Sequence, residues 1–166
     1  MISEGAADQM MTQHRGMAIT CVVALALVAS ACGKGGPPKP SKTRVALSAS
    51  ADANPDASGK ASPVVVRIYQ LKGDTAFTGA EFFALYDDEM KVLGPELIGR
   101  EEFVLTPAEK RTVEMQVSGA ARFVGVIAAF RDIRNSQWRV IIPAPLRKDD
   151  ATLSVERARV QFAPAK

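Results

Sequence analysis

The stretch Pro63-Val64-Val65-Val66-Arg67-Ile68-Tyr69-Gln70-Leu71 decides the fold. It is β-branched, apolar on both parities at its start, and opened by a proline, which a strand tolerates at its first residue. A run of this kind predicts a strand central in a sheet. Phe123 to Phe130 reads the same way, with Gly125 and Ala128-Ala129 allowing close packing. Around these two central strands the chain offers shorter, half-wet ones. Val45, Leu47 and Ala49 alternate with Ala46, Ser48 and Ser50, and Val113, Met115 and Val117 with Glu114 and Gln116. Trp138, Val140 and Ile142 alternate with Gln137, Arg139 and Ile141, and Glu102 to Leu105 forms a short strand ending at Thr106-Pro107. A parity shift between Leu153/Val155 and Val160/Phe162 predicts a bulge or a break. The expectation is about seven short strands in a two-sheet sandwich.

One segment departs from period two. In TGAEFFALY, residues 78–86, Phe82, Leu85 and Tyr86 fall at i, i+3 and i+4. Thr78 followed by Glu81 has capping-box spacing, so one short amphipathic helix is expected between the second and third strands. Val92, Leu93, Leu97 and Ile98 suggest a further helical or irregular piece broken at Gly94-Pro95.

Upstream, an apolar run of about 14 residues, Ala18 to Ala31, ends at Cys32. It is too short for a spanning helix, which needs ~20 residues. With Arg15 before it and small residues at its end it reads as a signal peptide over residues 1–31, with Met10 or Met11 as a possible true start. Ala29-Ser30-Ala31-Cys32 resembles a bacterial lipobox, with Ala29 in place of the usual Leu, and makes Cys32 the expected lipidation site. An ordinary secretory cleavage near Ala31 is the alternative. Residues 32–43 then comprise the lipidated cysteine and a Gly/Pro/Lys linker, and residues 44–166 the folded domain.

Cleavage narrows the chemistry. It removes His14, Cys21, Arg15, Glu4 and Asp8, raising the formal charge from +3 to +4 and leaving no histidine. That rules out Ser-His-Asp and Cys-His catalysis and imidazole or thiolate zinc sites. Carboxylates occur as adjacent pairs (Asp87-Asp88, Glu101-Glu102, Asp149-Asp150), which do not converge as an acid/base pair in a strand. The basic residues are dispersed and do not suggest nucleic acid. In the loop 51–62, Asp52, Asn54 and Asp56 look superficially like a calcium loop. The positions for the turn glycine and the bidentate glutamate are Ala57 and Pro63, so the segment is expected as a flexible or protruding connection. Trp138 beside Arg139 could be an interface anchor, but its parity with Val140 and Ile142 favours packing.

PVVVRIYQL, FTGAEFFALYDD and GVIAAFRDIRNSQWRVIIPAP, in that order after a lipobox, resemble the outer-membrane lipoprotein family of the type VI secretion system. The resemblance implies a transthyretin-like β-sandwich, mainly β with a short helical insertion, no enzymatic activity and no cofactor beyond the covalent lipid on Cys32. It implies outer-membrane attachment facing the periplasm; Gly33, not Asp, after the cysteine is similar to default outer-membrane sorting. The implied partner is the periplasmic domain of the IcmF-like inner-membrane component, with no nucleic acid and no small-molecule substrate. The loop after the first strand is implicated in that contact, which on this chain singles out Asn54, Pro55, Asp56 and Gly59. The competing reading is a periplasmic ligand- or cell-wall-binding lipoprotein of unrelated function.

Overall fold

Two four-stranded sheets stack face to face. The computed structural model describes residues 39–144 and 151–164. The expected signal peptide over residues 1–31 and the expected lipidation site Cys32 lie outside the described residues. One sheet has the order β4-β1-β7-β8, built from β1 (Ser41–Ala49), β4 (Lys110–Val117), β7 (Ala151–Val155) and β8 (Val160–Pro164). The other has the order β3-β2-β5-β6, from β2 (Val64–Leu71), β3 (Leu97–Leu105), β5 (Phe123–Ala129) and β6 (Arg139–Pro143). Every pairing is antiparallel except β1 with β7.

The inner faces follow directly from the alternation. Val45, Leu47 and Ala49 of β1 meet Val64, Val66 and Ile68 of β2 and Val124, Val126 and Ala128 of β5 in one buried cluster. β2 and β5 carry apolar residues on the other parity because their second face is also covered. Tyr69, Leu71 and Ile127 pack there against Phe77, Phe82, Leu85 and Leu93 of the helical insertion. Gly125 belongs to this face. A Cβ there would stand 2.7 Å from the Phe77 ring, so glycine lets the ring lie on the strand.

The insertion is three short helices, not one: α1 (Thr75–Gly79), α2 (Phe82–Asp87) and α3 (Glu89–Leu93). The expected capping box is absent. Thr78 lies inside α1, its hydroxyl bonded back to the Asp74 and Thr75 carbonyls, and Glu81 precedes α2 without a side-chain cap. Arg139 of β6 reaches across and donates to the carbonyls of Phe77 and Ala80, both at 2.9 Å, where α1 stops and the chain extends. The guanidinium thus takes over acceptors that a continuing helix would have used. Asp88, which was not foreseen as a cap, accepts from the Lys91 N–H at the start of α3.

A charged network ties α2 and α3 to the sheet. Arg67 donates to Glu102 at 2.7 Å and to the Tyr86 carbonyl at 2.6 Å, with its guanidinium 4.0 Å from the Tyr86 ring centroid. Tyr69 donates to Glu89, which also pairs with Arg100 at 3.0 Å. Burial pushes the Tyr69 hydroxyl well above its usual range, against an opposing pull from Arg67, so it remains a neutral donor.

Three boundaries differ from expectation. β1 begins at Ser41, so residues 41–43 belong to the sheet and not to the linker, with Thr43 buried opposite Met115. β3 starts at Leu97, because Arg100 and Glu102 are held by the network and the strand continues beneath them. The break near residues 156–159 is a complete hairpin between β7 and β8, which brings the described strands to eight.

Replacing Gly125 with Ala should lower stability by about 1–3 kcal/mol, through overpacking against Phe77. Urea denaturation would read the loss, and a Gly125→Ala, Phe77→Leu double variant should recover part of it.

Candidate functional site

Strand direction separates the sandwich into two ends. β1 runs from Ser41 at one end to Ala49 at the other, about 30 Å at ~3.3 Å per residue. At the far end lie the β1–β2 loop, the β5–β6 loop and the β7–β8 hairpin. They surround a cleft of about 630 Å³ lined by Asn54, Pro55, Asp56, Arg131, Asp132 and Arg157, among others.

Asn54 builds this cleft from beneath. It is 3% exposed and not at a protruding tip, with φ at 48°, a left-handed conformation that asparagine tolerates. Its Nδ2 donates to the Pro63 carbonyl at 2.6 Å, and its Oδ1 accepts the Arg131 N–H at 2.8 Å. Its own N–H donates to the Arg157 carbonyl at 3.0 Å. One side chain and one amide therefore fasten all three loops. The remaining loop is a tight turn. Asp56 Oδ1 accepts from Ser58 N–H, Ser58 Oγ and Lys60 N–H, while the Gly59 N–H donates to the Asp56 carbonyl with φ of 81° at Gly59. The Ser58 hydroxyl and the Lys60 N–H hold the Asp56 carboxyl below its ordinary value. The connection is thus a hydrogen-bonded loop, more built than a simple flexible connection.

Of the four loop residues named from sequence, Asn54, Pro55 and Asp56 line the cleft, while Gly59 sits at the exposed turn. Asp52, Asn54 and Asp56 spend their oxygens on different partners: Asp52 on Ser50 and Arg157, Asn54 on Arg131, Asp56 on Ser58 and Lys60. No group of three or more His, Cys, Asp or Glu is placed to hold a metal among the described residues. Arg131 and Asp132 come to the cleft from the AAFRDIRNSQWR block. Arg157 and Ala158 were missed, although the polar run Glu156-Arg157-Ala158-Arg159 between two apolar pairs is a hairpin signal. Trp138 is a packing residue, edge-on to Phe82 at 5.2 Å, with Arg139 4.6 Å above its ring.

Two expectations follow from this geometry. Asn54→Ala strips partners from the Arg131 N–H and the Pro63 carbonyl at a buried site, a loss of about 1–3 kcal/mol per group left unpaired. Hydrogen exchange should accelerate in the loop and in residues 130–132 together; acceleration confined to the loop would separate the two. The second concerns acid. Asp56, Glu102 (through Arg67) and Glu109 (through the Thr106 N–H) all have lowered values in the folded state. Their stabilisation is therefore present above the unfolded carboxylate range, about pH 4, and is lost as pH falls through the folded values. Glu101, raised by burial, opposes this weakly. Thermal melts should show the melting temperature dropping below about pH 4, less steeply in Asp56→Asn and Glu102→Gln.

No match was found among curated proteins. Solved structures do match. Crystalline TssJ1, a type VI secretion lipoprotein from Pseudomonas aeruginosa, is 33% identical over 76% of this chain and 98% of its own, with a TM-score of 0.72. Lip of Serratia marcescens, a membrane-bound component of the type VI secretion system, is 26% identical over 76% and 99%, with a TM-score of 0.69. A chain in a structure described as the TssM C-terminal domain (869-1107) from EAEC is 28% identical over 75% and 98%, with a TM-score of 0.62. The matching part of this chain, about three quarters of it, accounts for nearly the whole of each of these solved chains. Residues 41–159 match the family described as type VI secretion lipoprotein, VasD, EvfM, TssJ. The protein belongs to the type VI secretion lipoprotein family.

Proposed function

We propose that the chain is a non-enzymatic attachment point of a type VI secretion membrane complex. Cys32 carries the lipid and holds the protein on the periplasmic face of the outer membrane, and the three-loop cleft receives the periplasmic domain of the IcmF-like inner-membrane component. The family membership supports the first half, as do the lipobox residues Ala29-Ser30-Ala31-Cys32. Two or more acyl chains give stable membrane attachment, and one gives only marginal binding.

The observation that carries the second half is the position of the cleft. It lies at the end of the sandwich away from Ser41, where the chain arrives from Cys32, so a lipid-anchored domain can present it across the periplasm. The cleft has a rigid floor, built by Asn54, and a rim with exposed Arg131 and Arg157 beside Asp56 and Asp132. Arginines at a preformed concave site are the residue type that anchors protein interfaces. The likeness to a chain in the TssM C-terminal domain structure points to the same class of partner.

Cys32→Ser should move the protein from the outer-membrane fraction to the soluble periplasmic fraction and stop secretion, with the sandwich still folded. Arg131→Ala with Arg157→Ala should weaken binding to the purified partner domain tenfold or more, an effect of about 1.4 kcal/mol. Calorimetry with unchanged affinity would remove the cleft from the interface. Asn54→Ala is unsuitable here, because it unfastens the loops as well.

A further inference from the structure

The end of the sandwich opposite the cleft has its own chemistry. Residues 33–51 contain Lys34, Lys39, Lys42 and Arg44 and no acidic residue. In the fold, further cations join them. Lys42 stands opposite Gln116 in the β1–β4 ladder. The Gln116 carbonyl accepts from Gln70 Nε2 at 2.9 Å, and Gln70 Oε1 accepts the Ser118 N–H at 2.8 Å, which joins this rim across the two sheets. One residue further, the Leu71 carbonyl accepts the Arg122 N–H at 2.8 Å, and Lys72 follows directly. Lys39, Lys42, Lys72 and Arg122 are all exposed. Among the described residues, three acidic groups lie nearby. Glu114 faces Arg44 across the ladder, Asp74 starts α1, and Glu96 is turned onto Gly73.

We propose that this rim is a membrane-contacting surface, on which Lys39, Lys42, Lys72 and Arg122 bind the phosphates of anionic phospholipid headgroups. The inference rests on the lipid anchor at Cys32. Eight residues, 33–40, separate that cysteine from β1, a reach of about 30 Å at most. A chain so tethered meets the headgroup layer with its entry end first. Charge complementarity favours contact there, each Lys or Arg near an anionic surface adding about fivefold to the binding constant. The tether makes the encounter intramolecular, so a patch that is weak in solution suffices. The contact sets the direction of the domain: with the basic rim on the membrane, the cleft faces the periplasm. A lipid alone would leave the domain free to tumble on its linker.

Flotation with vesicles tests this on residues 37–166, a compact unit that contains the sandwich and the stretch matched to nearly the whole of a solved relative. At low salt the polypeptide should bind vesicles of phosphatidylglycerol and phosphatidylethanolamine and should not bind phosphatidylcholine. Neutralising Lys42, Lys72 and Arg122 to Gln should weaken binding on the order of a hundredfold. Neutralising Lys60, Lys110 and Arg134 to Gln, away from the rim, should change it less than twofold. Exchange of Lys42 and Lys72 for Arg should preserve binding, which separates charge from any loss of fold. No binding to anionic vesicles, equal binding to neutral ones, or equal loss from both triple variants would each overturn the proposal. Since the polypeptide is unacylated, the outcome is independent of whether Cys32 is lipidated, which acyl-chain mass analysis of the full protein reads separately.

Discussion

A four-stranded sheet that is apolar on both faces must be covered twice. β2 and β5 impose this requirement: Val64, Val66, Ile68, Val124 and Val126 face one way, and Tyr69, Leu71 and Ile127 the other. The opposing sheet meets the first need. The second is met by the segment 72–96 between β2 and β3, which breaks into three short helices and places four apolar residues, Phe77, Phe82, Leu85 and Leu93, on the sheet. Much of the polar structure follows from this. Short helices leave carbonyls and charges to satisfy, and Arg139, Arg67 and Glu89 satisfy them from strands and helix alike. Gly125 yields its side chain so that Phe77 can fit.

Covering the sheet this way makes the sandwich asymmetric. The insertion blankets the outer face of β3-β2-β5-β6, while the outward residues of the other sheet, such as Lys42, Glu114 and Thr152, stay exposed. With one broad face covered, the loops at the two ends become the natural places for recognition. The two ends are fastened in the same way by different residues. The far end is fastened by Asn54, the near end by Gln70, and each is a carboxamide that uses both its donor and its acceptor between elements. In both cases a buried polar group is satisfied by backbone groups from separate segments, so its cost in desolvation is offset and its geometry is specific.

The central strands and the family were legible in the sequence, since period and β-branching survive without context. The boundaries were not. Ser41–Thr43 read as linker because a lysine and a proline precede a strand whose burial depends on β4. Leu97 and Ile98 read as helical or irregular because the ion pairs that let Arg100 and Glu102 lie on a strand come from residues 67 and 89. Thr78 and Glu81 matched a capping box locally, but Arg139, some sixty residues later, ends α1 between them. The site divided in the same way. The loop 51–62 was visible as turn-forming composition, and its contact with Arg131 and Arg157 was not, because a carboxamide bridging three loops has no local signature.

That bridging fixes the loop before any partner is present. A connection of twelve residues (51–62) that had to be ordered on binding would cost conformational entropy at the moment of association. Here the ordering is already done: Asn54 holds the base and Asp56 the turn, in the isolated domain. What remains for a partner is to meet exposed side chains on a prepared surface. Affinity at such a surface resides in contacts and is not spent on folding the loop. The described residues from Ser41 onward are committed to a single geometry that runs from the start of β1 to the cleft.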